Sequence, residues 1–194
     1  MHQAFSFNNY TIKPQGLSIG GKYRALDPHN EPALHIEHKT RWSAPFNTYH
    51  VYADDKKKQE ILLIEESEHG GFPDFYAVTD PAGNEKVGGI GVDWKNWFED
   101  AWGITDAQGT IIGRVREKSA GRAILHQLTE GFVPQIVNII MGDQVVAELR
   151  QKSVMIGHHL LVDFSGDAAG RLDRRLGLAI AIVVAARQGA TDSV

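Results

Sequence analysis

The stretch RLDRRLGLAIAIVVAARQGA, residues 171–190, decides how the rest of the chain must be arranged. From Leu176 to Ala186 every residue is apolar or glycine, and charged residues stand just outside on both sides. A surface helix carries one apolar stripe and one polar face, and this run has no polar face. Crossing a bilayer takes ~20 consecutive apolar residues, well beyond its length. Leu, Ala, Ile and Val also suit a buried strand, but strands usually run only about 4–8 residues. Asp173 near the start, Arg187 near the end and Gly189 just beyond are helix punctuation. The reading is a helix over about residues 171–188, buried on all sides, so the remaining residues must enclose it.

The composition is compatible with that demand. A chain of 194 residues with 42% apolar and 23% charged residues suits one globular domain with a substantial core, and no Pro/Gly/Ser-rich linker divides 1–194. The net charge of −4 and a pI near 6.1 give no global basic footprint, so nucleic acid is not an expected partner. The absence of cysteine removes disulfides and thiolate chemistry. The opening MHQAFSFNNYTIKPQG lacks the basic region and long apolar stretch of a secretory signal, from which a cytoplasmic location is expected.

A repeat supplies the enclosure. YAVTDPAGNEKVGG from Tyr76 aligns with WGITDAQGTIIGR from Trp102, pairing Tyr76 with Trp102, Val78 with Ile104, Asp80 with Asp106 and Gly83 with Gly109, each 26 positions apart. Asp27, Asp54, Asp80 and Asp106 recur at intervals of 27, 26 and 26. Each copy reads as alternating residues, a turn of Asp, Gly, Pro or Asn, and another alternating run, which is a β-hairpin signature. Further apolar runs, VPQIVNIIMGDQVVAELRQK and VMIGHHLLVDF, extend the series, while DWKNWFED and SAGRAILHQLTEG read as short helices. Many antiparallel strands remove their edges by closing on themselves, and a wide closed barrel must fill its interior. The fold expected is mainly β: a closed antiparallel barrel with the C-terminal helix at its centre.

The succession of Y-x-V-x-D-x-x-G hairpins, W-x-I-x-D-x-x-G-x-I-I-G and the closing LDRRLGLAIAIVVA resembles the LURP-one-related family of the Tubby-like superfamily, which also includes phospholipid scramblases. The resemblance runs from about Tyr10 to Gln188 and implies twelve strands around the central helix. It brings no shared catalytic centre, and fold does not imply function. It implies a lipid- or membrane-associated regulator that binds a phosphoinositide-like headgroup or a protein partner. A scramblase-like, calcium-responsive protein is the alternative. That alternative needs the terminal helix in the bilayer, against its shortness and its flanking Arg171, Arg174, Arg175 and Arg187.

Three surface features carry the candidate sites. In TIIGRVREKSAGR a strand would place Ile112, Arg114, Arg116 and Lys118 on one face, a ladder of cations roughly 7 Å apart that Arg122 would extend toward a phosphorylated headgroup. The same pattern describes an ordinary solvated strand face. In DWKNWFEDAW, Trp94, Trp97 and Phe98 could meet a membrane or partner, or simply pack, and Trp102 belongs to the repeat and its packing. Lys56, Lys57 and Lys58 read as a hairpin tip compensated by Asp54, Asp55 and Glu60. His35 and His38 fall on opposite strand faces, as do His158 and His159, and no zinc spacing occurs, so neither a metal nor any other cofactor is expected. Asp163, Asp167 and Asp173 precede the helix without EF-hand spacing. The sequence has no nucleophile elbow and no phosphate loop, and a non-enzymatic role is expected.

Overall fold

The computed structural model describes residues 2–15, 21–41, 44–69, 72–92, 101–118, 136–153 and 158–191. After a 3-10 turn at Gln3–Phe5 come twelve strands: β1 Asn9–Pro14, β2 Lys22–Leu26, β3 Pro32–Arg41, β4 Ala44–Tyr52, β5 Glu60–His69, β6 Phe72–Asp80, β7 Glu85–Val92, β8 Ala101–Thr105, β9 Ile111–Glu117, β10 Ile136–Met141, β11 Gln144–Ser153 and β12 His158–Asp163. Each pairs antiparallel with its sequence neighbour, and β1 also pairs with β12, Tyr10 opposite Val162, which closes the barrel. The expected closed antiparallel barrel of twelve strands is the observed fold.

Its interior holds α1, Arg174–Thr191. Leu176, Leu178, Ile180, Ile182, Val183 and Val184 are each 7% exposed or less, so the helix is buried around its circumference. At ~1.5 Å per residue α1 is about 27 Å long, comparable with the tilted ten-residue strands β3, β5 and β11. At about 1.5–3 kcal/mol per buried aliphatic side chain, those six residues contribute on the order of 10 kcal/mol, as much as the whole net stability of a typical domain. Close packing sets the small positions. A Cβ on Gly177 would sit 2.5 Å from the Phe164 ring, and one on Gly91 would sit 2.9 Å from Phe75. The glycines of GGIGV therefore accommodate close neighbours, Phe75 lying against both Gly89 and Gly91.

The recurrent aspartates each tie one hairpin turn. Asp27 Oδ1 accepts the N–H groups of His29 and Glu31 at 2.8 and 2.9 Å, and Asp54 accepts Lys56 N–H at 2.9 Å. Asp80 accepts Ala82 N–H at 3.1 Å, and Asp106 accepts Gln108 and Thr110 at 3.0 and 2.8 Å. Such side chains replace a backbone acceptor in a turn. Alternate turns of an up-and-down barrel share one end, so the beat of about 26 marks one trip down and back.

The helix starts later than the sequence suggests, at Arg174 rather than about Arg171, because two aspartates organise its approach. Buried Asp167 accepts the N–H groups of Arg171 and Leu172 at 2.8 and 3.1 Å, and Asp173 accepts Arg175 N–H at 2.9 Å while its carbonyl takes the Gly177 N–H at 3.0 Å. It also continues past Gly189 to Thr191. Arg175 then fastens α1 to the β6–β7 hairpin, reaching Asp80 at 3.1 Å and Glu85 at 2.8 Å as well as Asp173 at 2.7 Å. Hydrogen bonds from Arg175 hold the Glu85 carboxyl below its ordinary range. Burial opposes ionisation of Asp173, but the bonds from Arg175 prevail and lower it too.

Two outcomes check this architecture. Ile180→Ala lowers stability by about 2–5 kcal/mol in urea denaturation, whereas removal of residues 171–194 abolishes cooperative unfolding. Arg175→Met costs about 2 kcal/mol near neutral pH. Because the Glu85 and Asp173 carboxyls titrate lower in the fold than in the unfolded chain, their contribution is present above the unfolded pKa and disappears as pH falls. The gap between wild type and variant therefore narrows below about pH 4 in urea melts.

Candidate functional site

Charge is divided unevenly around the wall. The contiguous strands β9, β10, β11, β12, β1 and β2 carry Lys13, Lys22, Arg24, Arg114, Arg116, Arg150 and Lys152 against Glu117, Glu148 and Asp163. The other six strands carry eight Asp and Glu residues against only Lys39, Arg41 and Lys86. An acidic protein thus has one basic half-wall, which its total charge conceals.

The ladder on β9 lies in this half. Arg114 and Arg116 sit opposite Ile140 and Asn138 on β10, and Val115 between them points into the core. Arg116 is exposed, while Arg114 is half-buried with its Nε lacking any hydrogen-bond partner. Neither makes an ion pair among the described residues. Lys118 is different: it meets Glu148 at 3.0 Å, and Arg150 holds the other oxygen of that carboxylate at 2.6 Å. Those two cations keep the Glu148 carboxyl below its usual range. Ile112 leaves the expected face. A register shift opposite Ile104 and Thr105 turns Ile112 toward the core and leaves Ile111 62% exposed, because one inserted residue reverses the alternation. Arg122, Trp94, Trp97 and Phe98 lie outside the described residues, as do the two segments read as short helices. Trp102 packs against the core, with the Arg187 guanidinium 4.9 Å from its ring centroid.

A second group of cations comes from strands distant in sequence. Lys152 on β11 is opposite His159 on β12, and His159 senses both Lys152 and Lys13 of β1. Lys13 is opposite Arg24 on β2, and Arg24 is opposite His35 on β3. The five form one cross-strand row that starts at Lys152, His159 and Lys13, toward the end of the barrel away from the aspartate turns, and runs through Arg24 to His35, which faces Asp54 and Asp55 of one such turn. Lys13, Arg24 and Lys152 make no ion pair or side-chain hydrogen bond among the described residues, and Arg24 Nε is buried without a partner. No short motif could announce this row, since its members span residues 13 to 159. The available signal was the strand register, combined with cations at outward positions.

Several other charges are paired within the fold, Lys22 with Glu37 at 3.9 Å among them. Lys57 pairs with Glu37 at 2.5 Å, so one lysine of the run is compensated from β3, while Glu60 instead meets His50 at 2.7 Å. Asp163 accepts Ser165 N–H at 2.8 Å, and Asp167 and Asp173 serve the helix approach, leaving no group of three metal-ligating side chains among the described residues. His38 departs from His35 as the alternation requires, stacking on buried Tyr49 at 4.7 Å. From His38 a chain runs through Asn47, at 2.7 Å, to Glu66, whose other oxygen accepts Tyr76 O–H at 3.3 Å, and Arg187 donates to Tyr76 at 3.2 Å. Glu66 continues the Leu62, Ile64 alternation, the sequence signal for this chain. A groove of about 330 Å³ beside Asp27, Glu148, Arg150 and Asp163 is too acidic to attract an anion.

No family model, curated protein or solved structure matches the chain. The unpartnered arginines make a structural role testable. Since a buried, unsatisfied donor costs about 1–3 kcal/mol, Arg24→Met and Arg114→Met leave the thermal midpoint unchanged or raise it by a few degrees in calorimetry. A clear loss of stability would show that these side chains hold the fold.

Proposed function

We propose that this chain is a non-enzymatic domain of the Tubby-like, LURP-one-related kind that docks its basic half-wall onto anionic headgroups at a membrane surface. The observation that carries this reading is the concentration of Lys13, Arg24, Arg114, Arg116 and Lys152, none with a carboxylate partner among the described residues, on six neighbouring strands of an otherwise acidic molecule. Cations gathered on one face without carboxylate partners raise the local positive potential, which attracts an external anion. The twelve-stranded barrel around a buried helix agrees with the resemblance in the sequence.

Two further features favour a lipid surface. Ile111 and Val145, 62% and 44% exposed, both lie on the basic half, where apolar side chains beside cations suit the interface of an anionic bilayer. No helix among the described residues is long and apolar enough to cross a membrane. The burial of α1 weighs against the scramblase-like alternative, because inserting that helix would empty the barrel. Attachment would be peripheral, with a protein partner for the same surface as the other reading.

Flotation with vesicles tests the proposal. Binding to anionic vesicles is saturable and weakens between about 0.05 and 0.3 M salt as screening shortens. Arg114→Ala/Arg116→Ala loses about 2 kcal/mol at ~1 kcal/mol per cation, roughly thirtyfold in affinity. Equal binding by wild type and double variant, or none by either, rejects the ladder as the contact.

A further inference from the structure

The row Lys152, His159, Lys13, Arg24 and His35 has a composition that a purely structural wall does not need. Neighbouring positions across antiparallel strands stand about 5 Å apart, so His159, Lys13 and Arg24 span roughly 10 Å, a width suited to one or two phosphate groups. Lys13 and Arg24 are the two cations at the centre of the row. Arginine can add two parallel hydrogen bonds to a tetrahedral anion. The histidines flank them at adjoining register positions.

We propose that this row is a phosphomonoester site, in which Lys13 and Arg24 bind the anion and His159 and His35 become additional donors as the solution acidifies. The proposal deepens the anionic-surface reading and rests on it. Around His159 the charged neighbours are Lys13 on β1 and Lys152 on β11, and partial burial together with these cations lowers its pKa. Around His35 are Arg24 on β2, Tyr52 on β4 and, after β4, Asp54 and Asp55. Burial and Arg24 lower the His35 pKa against the two aspartates. Both rings are therefore neutral near pH 7 and become charged below the ordinary histidine value of about 6.5. A bound dianion offsets the repulsion from the cations, so binding and protonation favour each other.

The test uses the full chain and three probes: vesicles containing a phosphoinositide, vesicles containing a sulfatide, and soluble inositol hexakisphosphate as competitor. The sulfatide is needed because a phosphomonoester gains its own second proton near pH 6, whereas a sulfate ester keeps its charge. With one histidine rising by about one pKa unit on binding, sulfatide affinity increases up to tenfold from about pH 7.5 to 5.5. His35→Gln/His159→Gln retains the binding at about pH 7.5 and loses that increase, with an unchanged melting curve as the folding control. Lys13→Gln/Arg24→Gln loses most binding at both pH values. Competition by inositol hexakisphosphate supports the site and shows that phosphate alone suffices. Binding only to vesicles supports it with the bilayer as the source of the phosphate. A wild type that binds without pH dependence, a histidine variant that keeps the increase, or full binding by Lys13→Gln/Arg24→Gln overturns the proposal. If Arg114→Ala/Arg116→Ala still weakens that binding, the anionic-surface reading stands without this row. Absence of wild-type binding to either vesicle at both pH values removes both.

Discussion

The enclosure of α1 by a closed wall is the constraint on which everything else depends. Apolar side chains around the whole helix leave no direction that can face water, and a twelve-stranded barrel without a filling would lack an interior core. Helix and wall are consequently one core. The aspartate turns, the glycines beside Phe75 and the Arg175 anchor serve that fit. They spend nearly every carboxylate at the helix entrance on backbone donors or on Arg175, which is why that acidic region does not assemble a cation site among the described residues.

With the interior occupied, recognition falls to the outer surface. A closed barrel has no free strand edge, so an extended peptide cannot add itself to the sheet. What remains is the pattern of outward side chains, and there the molecule is polar in an electrical sense: basic over half its circumference and acidic over the other half. Such an arrangement orients the barrel in the field of a charged surface before any contact forms.

Much of the fold was legible because it is written at short range. The period-2 alternation, the aspartate beat and the unbroken apolar run each report local geometry, and their sum leaves few architectures. Boundaries were less legible: the start of α1 depends on Asp167 capturing Arg171 and Leu172, a choice made by tertiary packing. Ile112 was misassigned because the register shift opposite Ile104 and Thr105 leaves no mark in β9 itself. The β9 cations could be read along one strand, but the bond from Lys118 to Glu148 could not, and the row through Lys13, Arg24 and Lys152 exists only once five strands are in register.

The seam between β1 and β12 also has a bearing on how the chain matures. Asn9 and Asp163 meet across it, so the first strand to leave the ribosome waits for one of the last before its open side is satisfied. Ring closure over so long a loop is entropically slow, and the stretch that fills the lumen emerges later still. Newly made chains therefore pass through an interval with an unzipped, greasy sheet, the period in which chaperone protection matters most.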